Sequence, residues 1–219
     1  MSIEAIVLIG VPGAGKGTVA DIIEMSTNYI HLSTGDILRE SIKQQTPLGI
    51  EAQTYMQDGR LVPDNIVLKV VMEHLDTGHK HAHYMFDGFP RTLAQAELLN
   101  SYFERSKARL NNVFLLEVSE EVSIARLTGR RICRKCGANF HIHNMPPRTE
   151  GFCDRCGGEL YQRSDDRKET IIRRLQIFQK ESTDLVSYYE RQEILVKMDS
   201  SKAPQKIASS IINLLPKIG

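Results

Sequence analysis

The chain predicts an α/β fold, a parallel β-sheet with helices on both faces, and three observations carry that prediction. Short apolar runs of strand length alternate with longer amphipathic stretches along the whole sequence. A glycine-rich turn, Gly10-Val11-Pro12-Gly13-Ala14-Gly15-Lys16-Gly17-Thr18, lies between the first such run and the first helix. Polar punctuation follows two further runs, at 33–36 and 87–91. A parallel sheet gathers its ligands at the carboxyl ends of its strands, so these three segments share one rim.

The elements follow in order. Ala5-Ile6-Val7-Leu8-Ile9 is the first strand, and a helix runs from Lys16 to about Ser26. Tyr29-Ile30-His31-Leu32 is the second strand; Ser33, Thr34 and Asp36 then cap a helix from about Ile37, with Arg39 one turn inside it. Residues 47–75 are helical, broken at Asp58-Gly59 and at Pro63, which suits the first turn of a new helix. His79, His81 and His83 alternate in a polar loop, and with no acidic or cysteine neighbour they read as solvated. Tyr84-Met85-Phe86 is a strand ending in Asp87-Gly88-Phe89-Pro90-Arg91, and Thr92 with Gln95 forms a capping box for a helix to about Lys107. Residues 113–118 are the next strand, and Ser119 opens a helix to about Gly129. Residues 131–163 are rich in Gly, Pro and Arg, lack a long periodic run and read as an insert. Helical spacing then runs from Asp165 to about Gln192, 194–198 is the last strand, and Ile207, Ile211, Leu214 and Leu215 stripe a terminal helix.

Composition sets the outer bounds. With 219 residues, 41% hydrophobic and 25% charged, the chain is an ordinary globular protein with room for insertions. A net charge of +1 argues against a general nucleic-acid binder, and no apolar run approaches the ~20 residues of a membrane span. No cationic leader precedes Gly10 and Lys16, so a cytoplasmic location is expected.

The glycine-rich turn is a polyphosphate cradle: glycines bring backbone N–H groups close to an anion, and the helix start and Lys16 add positive charge. The usual hydroxyl after the lysine is replaced by Gly17, with Thr18 one place later, so the metal is held elsewhere. Asp87, at a strand end, suits Mg²⁺ held through water, a simple turn aspartate being the alternative. Arg91 and Arg39 share the rim and suit a phosphate clamp. Between 126 and 174 twelve Lys or Arg stand against six acids, a local +6 that calls for an anionic ligand. Arg126 and Arg130 are placed on one helical face, and with Arg163 they converge on a transferring phosphoryl group. Cys133-x-x-Cys136 and Cys153-x-x-Cys156, 16 residues apart, have the spacing of a structural zinc ribbon; two disulfides or four free thiols are the alternatives.

Taken together, GVPGAGKGT at 10–18, STGDILR at 33–39, DGRLVPD at 58–64, DGFPRT at 87–92, TGRR at 128–131 and the stretch from RSDD to Arg174 resemble the adenylate kinases. The resemblance covers essentially the whole chain and is closest to the long form with a zinc-binding lid. It implies a P-loop NTPase-type core (1–32, 63–129 and 168–219), a helical AMP-binding insert (33–62) and a lid (130–167). It implies that Gly13, Ala14, Gly15, Lys16, Gly17 and Thr18 bind ATP with Arg126 and Arg130, that Phe140 and Lys202 lie at the ATP site, and that Arg163 and Arg174 act on the phosphates. Thr34, Arg39, Arg60, Val62, Gly88, Arg91 and Gln95 fall on AMP positions, with Arg163 and Arg174 shared. Asp87 matches the position that orients hydrated Mg²⁺, Asp165 and Asp166 match a lid-hinge pair, and Cys133, Cys136, Cys153 and Cys156 match the structural Zn²⁺ ligands.

The sequence departs from the family in three places: Phe140 where Tyr is common, Asn144 where an aromatic is frequent, and Asp199-Ser200 for a frequent Asp-Gly. The implied reaction is Mg-ATP + AMP ⇌ 2 ADP in a monomer, catalysed by Lys16, Arg91, Arg126, Arg130, Arg163, Arg174 and Asp87, with ATP, AMP and ADP as the only partners and neither nucleic acid nor membrane. Two alternatives stand beside it. One is a related kinase using GTP, UMP or CMP; the other is a nucleotide-switched zinc-ribbon binder of nucleic acid.

Overall fold

The computed structural model describes residues 4–77, 83–106 and 108–216. Its frame is a five-stranded parallel sheet in the order β2-β3-β1-β4-β8, formed by β1 (Glu4–Gly10), β2 (Tyr29–Ser33), β3 (His83–Asp87), β4 (Arg109–Glu117) and β8 (Leu195–Asp199). The chain reverses direction across the sheet at β1, whose neighbours are β3 and β4. The register aligns Ser33 with Asp87, Leu8 with Asp87, Gly10 with Leu116 and Glu117 with Asp199, so the loops that follow open on one edge.

Strand β1 shows why the sheet is buried on both faces. Ala5, Val7 and Ile9 join a core that includes Phe86, Phe89, Leu99, Leu185 and Tyr189. Ile6 and Leu8 join Val19, Ile23, Phe114, Leu116 and Ile211 on the opposite face. An uninterrupted apolar run is what a central parallel strand requires. Truncating one of the large side chains among them to alanine costs about 2–5 kcal/mol. The helices that cover the faces are α1 (Lys16–Ser26), α4 (Asp64–Thr77), α5 (Leu93–Ser106), α6 (Glu120–Thr128), α7 (Lys168–Arg191) and α8 (Pro204–Leu214). The pair α2 (Thr34–Lys43) and α3 (Pro47–Gln57) projects between β2 and α4. Strands β5 (Arg130–Cys133), β6 (Asn139–His141) and β7 (Leu160–Tyr161) form a separate antiparallel sheet, ordered β6-β5-β7.

Four local expectations are corrected. Helix α2 starts at Thr34 rather than Ile37, because Ser33 is the cap: its Oγ accepts from the Asp36 N–H at 3.3 Å. Arg126 and Arg130 do not share a helical face. Helix α6 ends at Thr128, and Arg130 is drawn into β5 opposite His141, whose ring lies where a side chain on Gly129 would have to go. The helix placed from Asp165 starts at Lys168, since Ser164–Asp166 is a turn of 3₁₀ helix that aims Asp166 inward. The capping box of Thr92 and Gln95 forms only in half: Thr92 Oγ1 accepts the Gln95 N–H at 3.2 Å, but Gln95 Oε1 accepts the Arg91 N–H at 2.8 Å and its Nε2 donates to Asp64 at 2.6 Å. His83 opens β3, and His79 and His81 lie outside the described residues. No helix among the described residues is long and apolar enough to cross a membrane.

Candidate functional site

The carboxyl edge of the sheet opens into a cleft of about 780 Å³, walled by the glycine-rich loop, α2, α3, the loop after β3, β6 and the loop after β8. Its lining carries nine cationic side chains, Lys16, Lys202 and seven arginines, against three carboxylates, Asp36, Asp87 and Asp165. That balance selects an anionic ligand.

At the centre, the loop between β1 and α1 turns through Gly13 and Gly15, whose φ values of 84° and 88° only glycine adopts without strain. A Cβ on Gly13 would also lie 2.8 Å from the Ser123 carbonyl. The Lys16 ammonium donates to the Gly10 and Val11 carbonyls at 2.8 and 3.2 Å. Burial pushes its pKa down to about 8 against the pull of Asp87, with Arg91 and Arg174 adding repulsion. Burial and neighbouring arginines likewise bring Arg91 and Arg163 down to about 10 and lower Arg174. These cations repel one another while remaining charged at neutral pH, and a polyphosphate would relieve the repulsion.

Gly17 lies beside Asp87, a Cβ there falling 3.6 Å from Oδ2 at ordinary van der Waals contact. Asp87 Oδ2 faces His31 Nε2 at 3.4 Å, and His31 Nδ1 faces Asp21 at 3.5 Å. Burial opposes charge on His31, but the two carboxylates prevail and raise its pKa to about 10. Asp87 is held below the usual carboxylate range: burial opposes this, and the adjacent His31 imidazolium and Lys16 outweigh it.

One end of the cleft lies among α2, α3 and the loop after β3. Thr34 Oγ1 donates to the Gly88 carbonyl at 3.0 Å, and Arg91 Nε donates to the same oxygen at 2.8 Å. Gln95, almost fully buried, and Thr92 both bind Asp64, which fixes this corner. Leu38, Met56, Val62 and Val67 supply an apolar wall, and Arg60 lies over the Tyr55 ring at 4.7 Å while pairing with Asp58. The other end is lined by Phe140, Asn144, Met145, Ser201, Lys202 and Gln205. Phe140 is buried among the side chains of the small sheet, and Lys202 pairs loosely with Asp199 at 3.8 Å.

Arginines converge from the second sheet and from α7. Arg130 makes a two-pronged pair with the fully buried Asp166 at 2.8 and 2.6 Å. Arg174 takes Asp165 at 3.0 Å and lies 3.6 Å from Asp166. Arg163 reaches across to Asp36 on α2 at 3.0 Å, and Arg39 holds the same oxygen at 2.7 Å. Burial opposes the charge on Asp36, yet the two arginines hold its pKa far below the usual range.

Every residue assigned from sequence to a nucleotide lines this one cleft; Asp166 lies just behind its wall. Sequence reasoning missed His31, Asp64 and Ser123, and took Asp36 for a simple cap. No local pattern marks the first three, whose partners lie 10 to 111 residues away, and His31 sits in the middle of β2.

The four cysteines stand apart, and their Sγ atoms all lie within 4.8 Å of one another. Cys133 and Cys156 are 3.5 Å apart, and Cys136 and Cys153 are 3.6 Å apart. Four sulfurs about 2.3 Å from a central zinc ion would be separated by about 3.8 Å, whereas a disulfide needs about 2.05 Å. The cluster therefore fits a tetrahedral metal. Each Cys-x-x-Cys turn closes with a glycine N–H on the first cysteine's carbonyl, Gly137 on Cys133 at 3.0 Å and Gly157 on Cys153 at 2.8 Å.

Comparison with known proteins reaches the same place. A family described as adenylate kinase matches residues 8–194. The chain is 42% identical to the adenylate kinase of Clostridium tetani over 213 residues, 97% of this chain and 99% of that one. It is 44% identical to that of Carboxydothermus hydrogenoformans over 212 residues, with 97% and 99% covered. Against that of Syntrophobacter fumaroxidans it is 44% identical over 210 residues, with 96% and 99% covered. A match running from inside β1 to the threshold of β8, with relatives aligned nearly end to end, places this chain in the adenylate kinase family.

Proposed function

We propose that the cleft holds ATP and AMP with their phosphates meeting at the arginine cluster, and that the phosphoryl-transfer activity of the family proceeds there as Mg-ATP + AMP ⇌ 2 ADP. The observation that carries this reading is one continuous cleft in which the phosphate loop and the Thr34–Arg91–Gln95 corner face the same arginines. ATP lies with its phosphates on residues 13–18 and its base toward Asn144 and Lys202. AMP lies against the apolar wall of α2, α3 and α4, with its phosphate on Arg39 and Arg91.

The phosphate of AMP is already ionised at neutral pH, so no general base is needed. Catalysis is then positioning and charge stabilisation by Lys16, Arg91, Arg126, Arg130, Arg163 and Arg174. Mg²⁺ arriving with ATP supplies charge neutralisation on its phosphates, and Asp87, poised by His31, is the carboxylate that would orient its water shell. Water is the competing acceptor, so 130–167 acts as a lid that must close first, and 33–62 as the AMP-binding insert.

Zinc is the metal proposed for the four cysteines. Thiolates fill its tetrahedral shell, leaving it structural, and a small sheet with little core of its own gains its shape from it. Thiolate ligands suit a reducing cytoplasm, and a monomer suffices because one chain supplies every group named. The test is ADP formation from Mg-ATP and AMP, with GTP, UMP, CMP and GMP substituted in turn. Fast turnover confined to ATP and AMP supports the assignment; preference for another base moves the specificity and leaves the phosphate roles; no transfer to any monophosphate refutes it.

A further inference from the structure

A phosphate loop binds anions with its N–H groups, so its carbonyls must be occupied elsewhere. Between Gly10 and Gly15 each carbonyl has a donor. Lys16 serves Gly10 and Val11, and the Ala14 N–H also meets Val11 at 3.0 Å. Arg126 reaches Gly13 at 3.5 Å, and the Val19 N–H takes Gly15 at 3.0 Å as the first bond of α1. The two that remain, on Pro12 and Ala14, accept from the hydroxyls of Ser123 and Ser200. Both serines are 0% exposed, and they arrive from different elements, one on α6 and the other just beyond β8.

A trans peptide is planar, with its C=O and N–H pointing opposite ways. The only cis bond among the described residues is Phe89-Pro90, so the loop peptides are trans. Pinning the Pro12 carbonyl outward therefore aims the Gly13 N–H inward, and pinning Ala14 does the same for Gly15. Gly13 and Gly15 both have positive φ and no Cβ to restrain their peptides, so the pinned carbonyls set how those peptides face. Ser200 is itself held on three sides. Its N–H donates to the Glu117 carbonyl at 2.8 Å, its hydroxyl to Ala14, and its carbonyl accepts from Arg126 Nη2 at 2.9 Å. One residue thus orients a loop peptide and seats an arginine of the cleft.

We infer that Ser123 and Ser200 are positioning residues for the donor polyphosphate, bolting the loop so that the Gly13 and Gly15 N–H groups face it, with both hydroxyls committed to loop carbonyls although Ser200 also lines the cleft. The inference rests on the reading that this loop receives the ATP phosphates.

The test uses the full chain with Ser123→Ala, Ser200→Gly and the double variant. Affinities for ATP, inorganic tripolyphosphate and AMP are measured by calorimetry, alongside melting and the amide resonances of Gly13 and Gly15. Loss of one neutral hydrogen bond predicts about three- to tenfold weaker ATP and tripolyphosphate binding per serine. AMP affinity should stay within about twofold, with the Gly13 amide moving in Ser123→Ala and the Gly15 amide in Ser200→Gly. Unchanged ATP and tripolyphosphate affinities would overturn the inference. So would equal losses for ATP and AMP, or a lower melting temperature alone, since those mark a merely structural role. Wild-type protein that binds neither ATP nor tripolyphosphate would sink the functional reading together with the inference. If Ser123→Ala does not fold, Ser200→Gly decides the matter by itself.

Discussion

Replacing Asp166 with Asn tests the arginine cluster most sharply. Asp166 is fully buried and accepts both prongs of Arg130 at 2.8 and 2.6 Å, with Arg174 3.6 Å away. The amide keeps one acceptor oxygen but turns an NH₂ toward a guanidinium, so one charge-assisted bond, worth about 1.5–3 kcal/mol, is lost outright. Breaking a fully buried pair costs about 3–5 kcal/mol. Here the two arginine side chains remain 21% and 19% exposed, and water recovers part of that. The expected destabilisation is about 2–3 kcal/mol. For a chain of this length that corresponds to a fall in Tm of roughly 4–12 °C. Thermal unfolding with and without nucleotide measures it, and initial rates should fall with it, because Arg130 and Arg174 lose their common anchor. A Tm within 1 °C of wild type, with unchanged kcat, would refute the reasoning that Asp166 orients both arginines.

Three other outcomes follow from the site. Lys16→Met should lower turnover by at least about 10²–10³-fold while circular dichroism and melting stay close to wild type; retained activity would remove Lys16 from the mechanism. His31 has a raised pKa, so its ion pairs stabilise the fold fully below about 6.5, and that contribution is lost as pH rises through about 10. Urea titrations from pH 6 to 10 should therefore show falling stability that His31→Gln flattens, and parallel curves for both proteins would count against the Asp21–His31–Asp87 chain. Cys133→Ser should lose bound metal by elemental analysis and become protease-sensitive within 130–167 before the core melts; full metal content and unchanged cleavage would contradict the four-thiolate site.

What could be read from sequence was what is encoded locally. Strand β1, the glycine turn and α1 announce themselves because glycines, Lys16 and an apolar run are contiguous, and the two Cys-x-x-Cys turns because both ligands of each pair lie within four residues. The failures have a common physical origin in distant partners. Arg126 and Arg130 are four apart, which suggests one helix face until β6 pairs with β5 and His141 occupies the space beside Gly129. The break before Lys168 comes from a charge, Asp166, that folds inward to meet an arginine 36 residues earlier. His31 was invisible as a functional group because its meaning depends on Asp87, which sheet pairing brings beside it. A helix cap is legible in four letters, whereas a buried counter-ion needs the whole topology.

The carboxylate of Asp36 has two suitors, Arg39 from its own helix and Arg163 from beyond the cysteine-bearing sheet. Two phosphates entering from opposite sides would then compete with a single internal anion for its cations. A monophosphate that draws Arg39 away leaves Asp36 to Arg163 alone, and the donor nucleotide must separate a tighter pair. Occupancy on one side thus alters affinity on the other, and thermodynamic reciprocity makes the factor identical in both directions. Because Asp36 is 56% exposed, this exchange is worth no more than about 1 kcal/mol, a few-fold in either dissociation constant. The two halves of the reaction would sense each other through a shared counter-ion before any phosphoryl group moves.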